Sequence, residues 1–276
     1  MGLNVTLVTG PRQSGKTTVI RTMIAEVLDR PPHYLRLAIA DEGVRLPTWT
    51  AVLPEPHGAA DSQWLCYDRE RIFELLPETL AAIHKRDRYG RVLIEADSDP
   101  VLRHAYPYDQ QVFVMPAPRT PGEVFRTPRQ AARALQDALD DTAEFAAEVF
   151  GLVPGDSFSG MAVGEDESRH EQALLSKSQI RAFLDSPLGD QLASQIQLQA
   201  GYQGLAESDV VLVNTALGGG ADAADDCCRR LEQLLRRVRG SKLSGRVIHC
   251  CDPQNRDQER RAAFLQALRD AGARRR

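Results

Sequence analysis

Residues Gly10 to Thr18 are the stretch whose residue types and spacing most clearly predict chemistry. The segment GPRQSGKTT places Gly10, Gly15, Lys16 and Thr17 in the pattern G-x-x-x-x-G-K-[ST]. In this pattern the glycines let the backbone approach phosphate oxygens, the lysine brings a cation to the outer phosphates, and the threonine hydroxyl can bind Mg²⁺. The segment therefore predicts a loop that holds a nucleoside triphosphate.

The segments on either side support this prediction. The apolar run NVTLVT predicts a strand before the loop, and VIRTMIAEVLDR predicts a helix after it. A loop that opens a helix directs backbone N–H groups and the positive end of the helix dipole at an anion. We expect the whole loop to line the nucleotide site, with contacts from Gly10, Pro11, Arg12, Gln13, Ser14, Gly15, Lys16, Thr17 and Thr18.

Carboxylates follow two other predicted strands. LRLAIADE ends in Asp41 and Glu42, and RVLIEADSDP contains Glu95, Asp97 and Asp99. Mg²⁺ prefers oxygen ligands and keeps several waters, so carboxylates at neighbouring strand ends could complete a metal site beside the loop. Each of them alone could equally be a solvated carboxylate at the end of a strand.

A late strand, SDVVLVNT, ends in Asn214 and is followed by ALGGGAD. The amide of asparagine both donates and accepts hydrogen bonds, so Asn214 could recognise a nucleotide base. The alternative is that Asn214 only opens a turn.

The order of elements predicts the fold class. Short apolar runs alternate with long helical patterns, which is typical of parallel strands joined by crossover helices. We predict an α/β fold with a doubly wound, mostly parallel sheet. The predicted strands are 4–9, 34–40, 91–96, 111–115, 209–214 and 245–250, and the predicted helices are 16–29, 69–87, 128–150, 177–200, 222–239 and 255–271.

The 276 residues are predicted to form one domain, 1–276. Two stretches interrupt the alternation, 43–68 and 151–176, and both are expected to be irregular loops, which in compact domains are usually functional or disordered. Residues 151–205 are predicted to form an insertion that serves as a lid or a partner-binding surface. A plain helical hairpin is the alternative.

Composition excludes some classes of function. The formal net charge is −4 and no basic stripe dominates, so we expect no nucleic-acid partner. No apolar run reaches the length of about 18 residues that spans a bilayer, and the N-terminal segment lacks a charged leader, so we expect a cytoplasmic protein with no membrane contact.

Five cysteines, an odd number, predict reduced thiols. Two adjacent pairs, Cys227 with Cys228 and Cys250 with Cys251, lack the C-x-x-C spacing of metal sites. We expect buried small side chains there, and metal binding stays the alternative.

The loop VTGPRQSGKTT, a second strand ending at Asp41, a third strand VLIE and a late strand VLVN resemble one class of P-loop NTPase. That class includes dethiobiotin synthetase, the nickel-insertion GTPases of hydrogenase and urease maturation, and molybdopterin-guanine dinucleotide biosynthesis protein B. The resemblance implies a three-layer fold. It implies Mg²⁺ and ATP or GTP as cofactors, with Thr17, Asp41 and Glu95 around the metal, Lys16, Asp41 and Glu95 as catalytic residues, and Asn214 at the base.

Three features depart from the class. GTPases of this kind typically carry Asn-Lys-x-Asp, whereas this chain reads NTAL after the late strand, so the acid that specifies guanine is missing. Pro11 and Arg12 stand where partition-type ATPases have an extra lysine, and Ala96 stands where a glycine often follows the acid of the third strand. ATP is therefore at least as good a candidate as GTP.

We carry three functional hypotheses. The first is Mg²⁺-dependent binding and hydrolysis of ATP or GTP by a switch or assembly factor with an unidentified protein client, of the kind that serves cofactor or metal-centre maturation. The second is a small-molecule kinase or ATP-dependent ligase whose acceptor binds between 43–68 and 151–176. The third is a catalytically silent nucleotide-binding scaffold. A homodimer is a candidate state for each.

Overall fold

The computed structural model describes residues 2–39, 58–67, 71–99, 101–141, 196–239 and 247–251, together with 262, 264–266 and 268–269. Asp41 and residues 151–195, with the predictions made for them, lie outside the described residues. The chain divides into two compact units, one of Met1–Glu123 with Ala200–Arg276 and one of Val124–Gln199.

The first unit contains a sheet of seven strands in which every neighbouring pair is parallel. The order across the sheet is β3-β2-β4-β1-β5-β6-β7. The strands are β1 (Asn4–Thr9), β2 (His33–Ile39), β3 (Asp61–Tyr67), β4 (Arg91–Glu95), β5 (Gln110–Ala117), β6 (Val210–Gly218) and β7 (Val247–Cys251).

Helices pack against both faces of the sheet. Helix α1 (Lys16–Thr22) continues into a wider π-type turn, Met23–Val27, and packs on one face; helix α2 (Ile72–Arg86) packs on the other. Strand residues alternate between the faces, as the period of two requires. In β1, Leu7 belongs to the core under α2, whereas Val8 belongs to the core under α1 with Phe264 and Leu268. The predicted α/β doubly wound fold is confirmed.

The second unit is described only in part. It contains helix α3 (Pro128–Asp141), which begins after Thr127, and a short antiparallel bridge between Phe125 and Leu198. Thr127 and Gln130 form reciprocal bonds, because the Thr127 amide donates to Gln130 Oε1 at 2.8 Å and the Gln130 amide donates to Thr127 Oγ1 at 3.3 Å. This arrangement closes the first turn of α3.

Six of the strands match their sequence predictions within a few residues, and β3 is the exception. Residues 43–68 were expected to be irregular, but Asp61–Tyr67 forms a strand that pairs with β2 at the edge of the sheet. An edge strand has one neighbour and tolerates polar residues such as Asp61, Ser62 and Gln63, so the strand signal in this segment is confined to its second half. Pairing with β2 extends the strand over the polar residues.

Candidate functional site

The loop between β1 and α1 depends on its two glycines. Gly10 has φ 146° and Gly15 has φ 99°, both in the region that side chains rarely adopt. A Cβ atom on Gly10 would collide with the carbonyl oxygen of Val114 on β5, and one on Gly15 would lie 2.5 Å from Nδ2 of Asn214. The pattern predicted from sequence thus requires glycine at both positions for steric reasons.

The middle of the loop is also constrained. Gln13 has φ 59°, and the Ser14 amide donates to the Pro11 carbonyl at 3.3 Å. Left-handed residues in a turn can produce the concave row of N–H groups that binds anions in many proteins. Arg12, Gln13 and Thr18 are exposed around this turn, whereas Ser14 is fully buried.

Lys16 is 7% exposed, and its ammonium lies inside the loop. Nζ donates to the carbonyl oxygens of Gly10 at 2.9 Å and Pro11 at 2.7 Å, and to Asp97 Oδ1 at 3.0 Å. The other carboxylate oxygen of Asp97 accepts from Nε of the exposed Arg12 at 3.2 Å. The three donors of the ammonium are therefore satisfied by the loop and by the end of β4.

Glu95, at the end of β4, is buried and accepts hydrogen bonds at both carboxylate oxygens. Thr17 Oγ1 donates to Oε1 at 2.8 Å, and the Tyr34 hydroxyl donates to Oε2 at 2.6 Å. Burial raises the pKa of Tyr34 well above its usual range, and the negative charge of Glu95 and this hydrogen bond raise the pKa further. The tyrosine therefore keeps its proton and remains a donor to the carboxylate.

Sheet order explains why these groups meet. Strand β4 lies directly beside β1, with Val8 paired to Glu95, and the Ala96 amide continues the ladder to the Val8 carbonyl at 3.0 Å. Strand β2 lies on the other side of β4, with Arg36 paired to Glu95. The carboxyl ends of three parallel strands thus converge beside the N-terminus of α1, which is the edge at which ligands commonly bind to open α/β sheets.

The oxygen atoms at this edge fit a hard divalent cation. Thr17 Oγ1 and a Glu95 oxygen are already adjacent, and Asp97 lies two residues further along the chain. Within the described residues no group of three or more histidine, cysteine or acidic side chains forms a metal cage. Mg²⁺ bound to nucleotides needs no such cage, because waters and phosphate oxygens fill most of its coordination sphere.

An open cleft of about 530 Å³ lies over the loop. Its walls come from the loop, from the end of β4 and from β2, which contributes Arg36, Leu37 and Ala38. Two residues of this region, Arg36 and Tyr34, were not predicted from the sequence. The segment YLRLAI, in which Tyr and Arg alternate with Leu, could have indicated them. Polar side chains at every second position of a buried parallel strand lie on one face of the sheet and need hydrogen-bond partners there.

Asn214 is buried in the middle of β6 and contacts the loop. Its Nδ2 donates to the Ser14 carbonyl at 3.2 Å, and its Oδ1 accepts from the Ala216 amide at 3.1 Å. The amide therefore connects the loop to the part of β6 that follows Asn214, where the pairing with β5 shifts register. Recognition of a base by Asn214 stays a prediction.

The other candidate residues that the structure describes do not line the cleft. Asp99 is buried, and its Oδ1 accepts from the Val101 amide at 3.0 Å, away from the residues that line the cleft. Cys227 is buried and Cys228 half-buried on helix α4 (Gly220–Arg239), and neither is part of a disulfide. Within the described part of the chain, no helix is both long and apolar enough to cross a membrane.

No model of a known protein family matches the chain, and no curated protein sequence matches it significantly.

Proposed function

We propose that the protein binds and hydrolyses a nucleoside triphosphate, ATP or GTP, with Mg²⁺, and acts as a switch or assembly factor. The observation that carries this proposal is the chain of contacts from the loop to the end of β4, in which Thr17 donates to the buried Glu95 at 2.8 Å and Lys16 donates to Asp97 at 3.0 Å. The resemblance noted above implies cofactor or metal-centre maturation as its setting.

Phosphate binding would use the loop backbone and Lys16. The positive φ values of Gly10, Gln13 and Gly15 give the loop the curvature that brings successive N–H groups toward an anion. The Lys16 ammonium now satisfies two loop carbonyls and a carboxylate. It would exchange some of these acceptors for β- and γ-phosphate oxygens, a change of partners within a few ångströms.

Thr17 and Glu95 would hold Mg²⁺, which when bound neutralises charge that develops on the transferring phosphoryl group. Glu95 accepts from Thr17 and Tyr34 at its two oxygens, so its remaining lone pairs can receive metal-bound water. We therefore assign metal binding to Glu95, and we assign the orientation of the attacking water to Asp41 or Asp97. Asp97 is 51% exposed on its side chain and lines the cleft, so water can reach it.

A second candidate, a small-molecule kinase or ATP-dependent ligase, is favoured by one observation. The cleft extends past the loop to Arg36 and Leu37 on β2. A cation and free space beside the outer phosphates would suit an anionic acceptor as well as water. Turnover without any acceptor separates the two, because a transferase should exclude water until its acceptor is bound.

The test is calorimetric binding of ATP and GTP with Mg²⁺, together with phosphate release in the absence of any metabolite. Lys16→Ala should abolish triphosphate binding. Lys85→Ala removes an exposed lysine from the last turn of α2 and is the matched control. Wild-type nucleotide affinity in Lys16→Ala would refute the proposal. Unchanged basal turnover in both Asp41→Asn and Glu95→Gln would instead favour a silent scaffold.

A further inference from the structure

Tyr34 and Thr17 hold the carboxylate of Glu95 from two different elements. Tyr34 lies on β2, where it is paired to Leu93, so its side chain reaches toward the carboxyl end of the neighbouring β4. The phenol is 4% exposed, and its hydroxyl donates to Glu95 Oε2 at 2.6 Å. Thr17, the first residue after Lys16 in α1, donates to Oε1 at 2.8 Å.

This geometry leaves the carboxylate little freedom. A glutamate side chain has three rotatable bonds, and a buried carboxylate with one partner could still rotate about the last of them. With a charge-assisted hydrogen bond at each oxygen of a side chain that is 2% exposed, rotation would break at least one bond. The hydroxyl of Tyr34 therefore helps to hold the carboxylate plane of Glu95 in the orientation that presents one oxygen to Thr17.

We propose that Tyr34 is a positioning residue for the magnesium ion of the nucleotide complex, acting through Glu95. The inference rests on the proposed function. With one oxygen of Glu95 held by Tyr34, the other faces the hydroxyl of Thr17, which would contact the metal. Partners that orient the groups around a metal commonly change metal affinity by ten- to a hundredfold when they are removed.

The ring and the hydroxyl of Tyr34 have different roles, and a substitution can separate them. The ring packs in the core under α1 with Val8, Val19 and Leu93. Tyr34→Phe keeps this packing and deletes only the donor, so we expect the variant to fold. In the absence of Mg²⁺, the nucleotide affinity of the variant should stay within a factor of about two of the wild-type value. Mg²⁺ should increase the nucleotide affinity of both proteins, but the Mg²⁺ concentration that gives half of this increase should be about tenfold higher for the variant.

The chain offers a matched control. Tyr108 is also 4% exposed, and its hydroxyl donates to the Leu102 carbonyl at 2.6 Å, so Tyr108→Phe deletes a buried phenol bond of equal length. Neither Tyr108 nor Leu102 lines the cleft. Tyr108→Phe should lower the temperature of unfolding, though by less than Tyr34→Phe because its acceptor is a neutral carbonyl, and it should leave the Mg²⁺ dependence at the wild-type value.

The experiment is calorimetry of ATP and GTP with the full chain, in EDTA and over a series of Mg²⁺ concentrations, with thermal unfolding of the same samples. An Mg²⁺ dependence in Tyr34→Phe equal to that in Tyr108→Phe would overturn the inference and leave the proposed function standing. Equal losses of affinity with and without Mg²⁺ would also overturn it, because they would indicate a purely structural role. A wild-type protein that binds neither nucleotide would overturn both.

Discussion

The ammonium of Lys16 lies 3.0 Å from Oδ1 of Asp97, so the lysine of the loop is paired with the first acid after β4. The two side chains differ in exposure, at 7% for Lys16 and 51% for Asp97. Arg12 binds the other oxygen of the same carboxylate at 3.2 Å. Asp97 thus binds the two cations, Lys16 and Arg12, that would also bind a triphosphate. Its negative charge would in addition repel the phosphates.

Asp97→Asn should therefore strengthen nucleotide binding while slowing hydrolysis. Removal of a half-exposed negative charge is worth about 1 kcal/mol, so the dissociation constant for ATP should fall about fivefold. If Asp97 orients the attacking water, turnover at saturation should fall by about a hundredfold. Calorimetry and phosphate release measure the two effects.

Asp226→Asn is the control for that experiment. Asp226 is a carboxylate on α4 that accepts from Arg229 and Arg230, so this variant also removes a charge from a pair of arginines. Its nucleotide affinity should equal that of the wild type. Weaker binding of ATP by Asp97→Asn would contradict the view that Asp97 competes with the phosphates.

Gly15→Ala should both destabilise the protein and abolish triphosphate binding. At φ 99° an L residue costs about 1–2 kcal/mol, and the new methyl group would displace the Asn214 amide from the loop. Urea unfolding measures the first effect and calorimetry the second.

Gly122→Ala is the matched glycine substitution, because the nearest atom to its new Cβ would be Thr120 Oγ1 at 3.9 Å, an ordinary contact. This variant should keep its nucleotide affinity. A folded Gly15→Ala protein with wild-type affinity would show that the loop does not need the backbone conformation described above.

Asn214→Ala should weaken ATP and GTP binding by the same factor, about fivefold. The reason is that Asn214 donates to the Ser14 carbonyl at 3.2 Å, and a hydrogen bond of this kind contributes about 1 kcal/mol. The measurement is competition between the two nucleotides at equal Mg²⁺, for the wild type and the variant.

The same competition tests how the base is recognised. Because NTAL lacks the acid that specifies guanine, the wild type should show a weak preference or one toward adenine. A hundredfold preference for GTP would mean that another residue contacts the base. A loss confined to one nucleotide in Asn214→Ala would assign base recognition to Asn214 itself.

Tyr108 should make stability fall at alkaline pH. Burial raises its pKa above the ordinary value near 10, so the folded state keeps a proton that the unfolded state releases. The contribution is complete below about pH 10 and is lost as the pH rises further, by up to about 1.4 kcal/mol per pH unit. Tyr108→Phe removes this loss, so its free energy of unfolding in urea should decrease less than that of the wild type between about pH 9 and pH 11. Parallel decreases in the two proteins would contradict the assignment.

The sequence alone determined the loop and the class of fold. The spacing of Gly10, Gly15, Lys16 and Thr17 is local, and so is the alternation of apolar strands with amphipathic helices, because both depend on residues a few positions apart. For the same reason Glu95 was identified correctly as a strand-end acid, and it does meet Thr17. Asp41, the other acid that the resemblance assigns to the metal, lies outside the described residues.

Only the tertiary structure decided which distant groups share the site. The contact of Tyr34 with Glu95 spans 61 positions and that of Asn214 with Ser14 spans 200, and both require the strand order that puts β4 between β1 and β2 and places β6 next to β5. Strand β3 likewise extends over its polar residues through its pairing with β2. Strand order is fixed by the packing of two helical layers onto one sheet, which depends on the whole chain and leaves no signature in any short segment.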